Sequence, residues 1–380
     1  MPRFRLVAIA TASLFFAACA GKGELLPTQP EDPAGDLPSE ALSPANGIPI
    51  TQPANARASA DAITLYSWLR ALPDRSARRM LSGQSFGFAD AVSRQYETVF
   101  QAIARNTGRS VAIASGDYGV LSPVRGQVVD LAAMNAALVS HWSRGGLVTV
   151  SWRAPNPWTD GDATDRSIVG AFSKLTQRGN PLNAKWMREL SHVADGLEAL
   201  QQSGVVVLWR PFNEANGTQY WWSTRGVKPT SAEFVSLWKH MFDYFTNVRH
   251  LDNVLWVYSV APKSSSAMRS ETYFWPGQTR VDVVSIELSR PAQGIAAWNQ
   301  LKSLAKPLAL GEYRPSFSTS SASARVCDYG ELLGLVRSRY PELVYFIAPD
   351  GPSAMNGQPS ATGLLGDGWV ANLSDVNWRN

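Results

Sequence analysis

The chain has 380 residues, 45% of them hydrophobic and 17% charged, which is enough apolar sequence for one large globular domain or two small ones. Its 35 Lys and Arg residues against 31 Asp and Glu residues give a net charge of +4. No basic run is dense enough to indicate a nucleic-acid surface, so we expect no nucleic-acid partner.

The first 18 residues have the pattern of an export signal. Arg3 and Arg5 precede an apolar stretch, 6–18, that is too short for an ordinary transmembrane helix. The stretch leads into Phe-Ala-Ala-Cys at 16–19, which resembles the lipobox of bacterial lipoproteins. Cleavage before Cys19 and acylation of its thiol predict an exported lipoprotein, bound to a membrane in the periplasm, the outer membrane or at the cell surface. Secretory cleavage near the same point is the alternative.

Residues 19–60 are rich in Pro, Ala, Gly, Ser and Thr and have no apolar periodicity. Such a composition predicts a disordered tether, because it offers too little apolar surface to fold. The remaining residues, 61–380, are the predicted catalytic domain. Apart from the lipidated cysteine the chain has one thiol, Cys327, which we expect to be buried in a helix and to have a packing role.

From residue 61, apolar runs of β type alternate with helical stretches, as a parallel α/β domain requires. The predicted strands are 79–84, 111–117, 147–152, 205–211, 254–260, 281–287, 307–312 and 343–348. The predicted helices are 94–106, 128–143, 185–202, 231–249, 293–304 and 322–338. Eight such strands predict a single (β/α)8 TIM barrel, since an open sheet has edge strands that differ from its centre. A doubly wound sheet is the alternative, but no Gly-x-Gly-x-x-Gly opens the first unit.

Two glutamates each follow a short apolar run. Glu214 follows Trp-Arg-Pro-Phe-Asn, and Glu312 follows Lys-Pro-Leu-Ala-Leu-Gly. Their separation places them at the ends of strands 4 and 7 of a barrel. Retaining glycosidases need two carboxyl groups about 5–5.5 Å apart, one to protonate the leaving oxygen and one to attack the anomeric carbon. The alternatives are a solvated loop carboxylate for Glu214 and a simple ion pair with Arg314 for Glu312.

Aromatic residues also follow the predicted strands, at the end of a barrel where active sites lie. Indole rings stack on the C–H faces of sugars, so we expect Trp152, Trp221 and Trp222 to contact substrate. Core packing is the alternative for each of them.

Polar residues near Glu214 are further candidates for the site. Asn213 and Asn216 flank this glutamate and are expected to bond sugar hydroxyls. Arg210 lies four residues earlier and is expected either to keep Glu312 ionised or to serve the core through packing or an ion pair.

Three other carboxylates, Asp117, Glu287 and Asp350, end predicted strands and compete for roles in positioning substrate or in pairing with Arg153 or Arg210. The four histidines have no metal-ligand spacing, and neither a serine nucleophile elbow nor a phosphate-binding loop is present. We therefore expect neither a metal nor a cofactor.

The chain resembles glycoside hydrolase family 26 over roughly residues 76–350. The most specific motif is Arg-Pro-Phe-Asn-Glu-Ala-Asn-Gly at 210–217 followed by Trp-Trp at 221–222. Other matching motifs lie at 81–84, 116–118, 146–152, 281–286 and 306–312. The resemblance implies a retaining (β/α)8 enzyme that cleaves a β-linked polysaccharide, with endo-β-1,4-mannan hydrolysis as the leading activity. It implies Glu214 as acid/base and Glu312 as nucleophile. We expect a monomer.

The chain departs from the family pattern around the reacting sugar. Asn213 and Arg153 stand where family members commonly have His, and Ser289 replaces a tyrosine that touches the nucleophile. An aromatic residue of the next loop is replaced by Gln219, unless a shift of one residue places Tyr220 there. These departures keep two alternatives open: a β-glucanase or xylanase on the same fold, and a catalytically lapsed barrel that only binds glycan.

Overall fold

Eight parallel strands close into a barrel in this computed structural model, which describes residues 51–87, 92–119, 131–223, 228–289, 291–318 and 326–379. Each strand pairs with its neighbours in chain order, and the last pairs with the first to complete the ring. The strands are β1 (Met80–Ser85), β2 (Ile113–Asp117), β3 (Leu147–Trp152), β4 (Val207–Pro211), β5 (Val254–Val260), β6 (Val283–Leu288), β7 (Leu308–Tyr313) and β10 (Leu343–Ala348). The predicted (β/α)8 fold is confirmed.

All eight predicted strands are present, with ends that differ from the prediction by two residues or fewer. Their residues are almost entirely buried, because side chains alternate between the barrel interior and the layer of helices outside it. That double burial explains why the strands appear in the sequence as apolar runs without alternation.

Helices pack around the barrel, and an α-helix connects each barrel strand to the next except β5 to β6, where the described residues form only the short 3-10 helix Gln278–Arg280. The α-helices are α1 (Ala60–Ala71), α2 (Val92–Thr107), α3 (Leu131–Ser143), α4 (Pro181–Gln202), α5 (Ser231–Asp243), α6 (Trp298–Ser303), α7 (Gly330–Arg339) and α8 (Ala361–Gly366). Local signals fix two of the starts: Asn180 caps α4 with Pro181 in its first turn, and Thr230 forms a capping box with Glu233 in α5.

The prediction of a helix over 322–338 is wrong at its start. Val326–Cys327 (β9) pairs antiparallel with Phe317–Ser318 (β8), and the helix begins only at Gly330. Cys327 is fully buried, as expected, but it lies in this short strand. Residues 322–325 lie outside the described residues. Two residues, Val370–Ala371 (β11), add to the outer side of β1.

The sequence did not predict α1, which lies across the N-terminal ends of the strands. Leu65, Tyr66 and Leu69 are buried there. Just before it, the Ala54 amide donates to the Asp282 carboxylate at 2.6 Å. The chain therefore packs on the barrel before residue 61. The predicted signal, Cys19 and the tether up to residue 50 lie outside the described residues, and none of the described helices is long and apolar enough to cross a bilayer.

Candidate active site

Three carboxylates from neighbouring parts of the barrel meet at its C-terminal end. Glu214 lies in the turn after β4, and Glu287 and Glu312 lie at the ends of β6 and β7 as paired positions of the sheet. The two predicted catalytic glutamates share one electrostatic cluster, because Glu312 and Glu287 both act on the ionisation of Glu214.

The turn that presents Glu214 is strained and tightly held. Phe212 and Glu214 have φ angles of 54° and 51°, a left-handed conformation that costs a non-glycine residue about 1–3 kcal/mol. The Glu214 carbonyl accepts from the Gly217 amide at 2.8 Å and from Ser223 Oγ at 3.2 Å. The Trp222 indole donates to the Asn213 carbonyl at 3.1 Å. These bonds fix the carboxyl at the barrel mouth.

The pKa of Glu214 is raised to about 7, first by burial and then by the negative charges of Glu287 and Glu312. The guanidinium groups of Arg314 and Arg153 act in the opposite direction. A carboxyl group with this pKa holds its proton just below neutral pH and releases it just above, which suits a general acid that later becomes a base.

Glu312 is partly exposed at the mouth, with 26% of its side-chain surface accessible. Its carboxylate forms an ion pair with Arg314, which is half exposed. The ion pair between Glu312 and Arg314, which was the alternative to a catalytic role for Glu312, is thus present. It does not remove the carboxylate from the site, because Arg314 itself lines the cleft beside Glu214.

Glu287 forms a buried ion pair with Arg210 inside the barrel and accepts a hydrogen bond from Ser259 Oγ at 2.5 Å. Burial raises the pKa of Glu287; Arg210 lowers it, and Glu312 raises it further. Arg210 therefore matches the alternative of a structural ion pair. Glu312 lies close enough to contribute to the raised pKa of the Arg210 guanidinium.

Asp117 is buried at the end of β2 and is not among the residues that line the cleft; its ion pair with Arg153 matches the pairing that was the alternative to substrate positioning. It accepts bonds from Arg153 Nε and Ser151 Oγ, each at 2.8 Å, and from the Gly119 amide at 2.6 Å. Burial opposes the ionisation of Asp117, but Arg153 and these bonds outweigh it and lower its pKa. Asp117 therefore positions Arg153, whose charge interacts with Glu312.

The predicted sugar contacts of three tryptophans are wrong. Trp152, Trp221 and Trp222 are at most 1% exposed, so no indole face is open to a sugar. Trp152 stacks on other core rings, and Trp221 donates to the Ala154 carbonyl at 2.9 Å. Core packing, the alternative, describes all three. Tyr220 differs, because it is only partly buried, stacks on Trp222 at 4.6 Å, and interacts electrostatically with Glu214.

The two asparagines that flank Glu214 have different roles. Asn216 is fully buried and bonds the Ala261 and Arg269 carbonyls at 2.8 and 3.1 Å, so its predicted contact with sugar is wrong. Asn213 has a side-chain oxygen without a hydrogen-bond partner among the described residues. An unpartnered buried acceptor is energetically unfavourable. Asp350, the third rival carboxylate, caps a turn after β10 by accepting from the Gly351 amide.

The sequence model of glycosyl hydrolase family 26 matches residues 54–363. The chain belongs to this family. It is 31% identical over 353 residues to mannan endo-1,4-beta-mannosidase A and B of Caldalkalibacillus mannanilyticus, covering 90% of this chain and 66% of that relative, so it spans slightly less than two thirds of the relative's length. It is 30% identical over 332 residues to a Bacillus subtilis mannan endo-1,4-beta-mannosidase, covering 85% of this chain and 89% of the relative.

A solved structure of a Bacillus subtilis mannanase aligns with 84% of this chain and 95% of its own, with a TM-score of 0.73 and 27% identity. The resemblance stated from the motifs is confirmed, and this family 26 protein is a glycoside hydrolase.

Beside the glutamates, the family 26 barrel has an open cleft of about 380 Å³. Much of its wall comes from the loops after β5 and β6, of which the sequence pointed only to Ser289. Apart from Met268, these residues are small or polar: Ala261, Pro262, Ser264, Ser265, Ser289 and Gln293. The signal in the sequence was the run Ala-Pro-Lys-Ser-Ser-Ser directly after a strand, at the end of the barrel where ligands bind.

Replacing Gly311 with alanine is expected to disrupt the site. A Cβ at this position would lie 2.7 Å from Ser285 Oγ and 2.8 Å from Glu287 Oε1 and Arg210 Nη1, so the buried ion pair must shift. We expect a loss of about 1–3 kcal/mol in the free energy of unfolding, measured by denaturant titration, together with reduced hydrolysis. Gly334→Ala on the exposed side of α7 is the control, because no atom lies within 4 Å of the added methyl. Equal stability of the two variants would contradict this packing argument.

Replacing Glu287 with glutamine is expected to move the alkaline limb of the pH–kcat/KM profile to lower pH. Glu214 must be protonated to act as an acid, and its pKa of about 7 is partly due to the Glu287 charge. Without that charge Glu214 loses its proton more easily, and the unpaired Arg210 adds to the shift. Asp350→Asn is the control, since Asp350 is not among the charges that act on Glu214. An alkaline limb that stays in place would show that Glu287 does not set this pKa.

Proposed function

We propose that this family 26 enzyme is an endo-β-1,4-mannanase that retains the anomeric configuration, with Glu214 as acid/base and Glu312 as nucleophile. The observation that carries the proposal is the placement of Glu214, with a pKa raised to about 7, in a cleft that Arg314 also lines, while the Glu312 carboxylate pairs with Arg314 and acts on the ionisation of Glu214. The substrate follows from the relatives, which are named mannan endo-1,4-beta-mannosidases.

In the first step the Glu312 carboxylate attacks the anomeric carbon while Glu214 gives its proton to the glycosidic oxygen. The glycosidic bond breaks, the aglycone leaves as an alcohol, and the sugar is held as an ester on Glu312. The negative charge of Glu312 is consumed in this ester. The pKa of Glu214 then falls, because one of the charges that raised it is gone.

In the second step the Glu214 carboxylate takes a proton from water as the water oxygen attacks the anomeric carbon. The ester breaks, the sugar leaves with its original configuration, and Glu312 regains its charge. Since the ester itself lowers the pKa of Glu214, the same residue is an acid before the intermediate and a base after it.

Three side chains are proposed to hold the reacting sugar. Asn213 offers its unpartnered side-chain oxygen to a sugar hydroxyl, a contact that strengthens in the transition state. Tyr220 offers an aromatic ring that is partly accessible beside Glu214. Arg153, oriented by Asp117, offers guanidinium donors near Glu312.

The proposed activity is tested on mannan, glucomannan, lichenan and xylan by the release of reducing ends. We expect the highest kcat/KM on mannan, a rapid fall in viscosity from internal cleavage, and products that first appear as the β-anomer. A preference for lichenan or xylan would favour the second candidate, another β-glycanase, which is motivated by Ser289 and other small residues in the cleft wall. No hydrolysis of any glycan would leave only a glycan-binding role.

We also propose that the enzyme is exported and anchored by a lipid on Cys19. The support is the lipobox-like sequence alone. Mass spectrometry of the mature chain from the membrane fraction should give an acylated N-terminal Cys19, and Cys19→Ser should remove the lipid. A mature chain that begins elsewhere without lipid would point to secretory cleavage.

A further inference from the structure

The positive charge of the chain is concentrated on the N-terminal face of the barrel, opposite the active site. We define this face by residues 51–79, the C-terminal segment 372–379, and the turns that lead into the strands, which are 105–112, 143–146, 203–206, 249–253, 278–282, 302–307, 337–342 and 367–369. These segments contain fifteen Lys and Arg residues against seven Asp and Glu residues. Since the whole chain has a net charge of only +4, the rest of it is net negative.

Four arginines of this face belong to one connected surface with tryptophans. Arg75 lies over the Trp68 ring at 4.9 Å, and the Trp68 indole donates to the side chain of Asn377. Arg379, two residues after Asn377, extends this surface, since its guanidinium lies over the Trp142 ring at 4.3 Å. Arg144 follows Trp142 by two positions.

The fourth arginine, Arg109, joins the same surface through its neighbour. The carbonyl of Ser110 accepts from the Leu373 amide at 2.8 Å, which places the turn before β2 against the C-terminal segment. Arg109, Arg144 and Arg379 are exposed, and Arg75 is half-buried. Within the described part of the chain, none of the four forms an ion pair with Asp or Glu, unlike Arg78 and Arg337 of the same face. Their charges are available to an anionic partner.

The chain also enters the barrel on this face. Ala54 and Asn55 are bonded to Asp282 and Asp252, in the turns before β6 and β5. The residues that precede Ala54 therefore leave from the same side as the four arginines. An anchor on the N-terminal part of the chain would therefore be joined to the barrel at this face.

We propose that the N-terminal face of the barrel docks on the anionic phospholipid headgroups of a membrane, through Arg75, Arg109, Arg144 and Arg379. The exposed guanidinium groups suit this surface, because they can meet the headgroup phosphates. Beside Arg75, the partly exposed Trp68 ring adds an indole, which favours the interface. Docking in this way directs the cleft with Glu214 and Glu312 away from the membrane, toward extended glycan chains. The inference builds on the proposed Cys19 anchor for its orientation and is independent of the proposed substrate.

The test measures binding of the mature chain, residues 19–380, to lipid vesicles in a Cys19→Ser background, so that neither the apolar signal nor an acyl chain contributes. One set of vesicles is phosphatidylcholine, and the other is an equimolar mixture with anionic phosphatidylglycerol. The face variant removes four charges by Arg75→Gln, Arg109→Gln, Arg144→Gln and Arg379→Gln. The control variant removes the same charge from exposed sites elsewhere, by Lys174→Gln, Arg178→Gln, Arg188→Gln and Lys239→Gln.

We expect the Cys19→Ser chain and the control variant to sediment with the anionic vesicles and to bind phosphatidylcholine weakly. The face variant should bind the anionic vesicles at least tenfold more weakly, since each cation near such a surface strengthens binding about fivefold. High salt should release the Cys19→Ser chain itself, because exposed charges are screened. This salt dependence is measured on a chain in which every residue of the N-terminal face is unchanged.

Equal loss in the face and control variants would overturn the proposal, since it would show a response to net charge alone. Equal binding to both lipid compositions, or binding that salt does not weaken, would overturn it as well. Hydrolysis of mannan is measured in parallel on all chains and should be unchanged in both variants, because the substituted residues lie away from the cleft. Loss of hydrolysis in every chain would count against the proposed function and would leave the vesicle comparison valid.

Discussion

Replacing Glu312 with alanine is expected to lower kcat on mannan by on the order of 10⁴-fold, while glycan binding stays close to that of the unmodified enzyme. The reason is that no carboxylate remains to form the glycosyl ester, whereas the sugar contacts proposed for Asn213 and Tyr220 are untouched. The fold should survive, because Glu312 is partly exposed and its ion-pair partner Arg314 is half exposed and can be solvated.

The measurement combines initial rates of reducing-end release with glycan binding by calorimetry. Glu331→Ala, an exposed carboxylate in the first turn of α7, is the matched control and should keep full activity. Added azide should restore turnover of an activated mannoside by Glu312→Ala, because the small anion can occupy the vacated space and attack directly. The azide product should have the inverted, α configuration. Near-normal turnover without azide would show that Glu312 is not the nucleophile.

The barrel strands could be predicted from the sequence because each is buried on both faces and therefore appears as an apolar run. Helix α1 was missed because it follows the Pro- and Ala-rich segment directly, and the residues just before it are held by Asp252 and Asp282, which are distant in sequence. The start of α7 was misplaced for a related reason, since Val326–Cys327 pairs antiparallel with Phe317–Ser318. Long-range pairing of this kind leaves no periodicity in the sequence.

The positions of the two glutamates could also be predicted, because the end of a barrel strand is a place defined by the sequence itself. The contacts of the side chains around these glutamates could not be predicted. A tryptophan beside polar loop residues has the same local sequence whether its ring faces a sugar or the core. Trp222 supports the turn that holds Glu214, and Trp221 bonds the loop after β3. Asp117 likewise ends a strand, but its environment saturates it with hydrogen bonds. Only the fold decides which side chains near a mouth stay open.

Replacing Glu214 with alanine is expected to slow hydrolysis of mannan by about 10²–10⁴-fold, the usual contribution of general acid–base catalysis. The effect should depend on the leaving group. An aryl mannoside with an acidic phenol needs no protonation, so its first step should remain fast and the ester on Glu312 should accumulate. A burst of phenol followed by slow turnover is the expected result, because no base remains to activate water.

The pH profile and the product separate this role from a structural one. Since the pKa of about 7 belongs to Glu214, the alkaline limb should disappear from the kcat/KM profile of Glu214→Ala on the aryl substrate. Azide should accelerate turnover by attacking the ester on Glu312 and should give the β-azide, the opposite anomer to that from Glu312→Ala. The two variants therefore check each other. In Glu312→Ala azide attacks the substrate itself, whereas in Glu214→Ala it attacks the ester intermediate from the opposite face of the sugar. The same anomer from both, or an alkaline limb that persists near pH 7, would contradict the assignment of acid/base to Glu214.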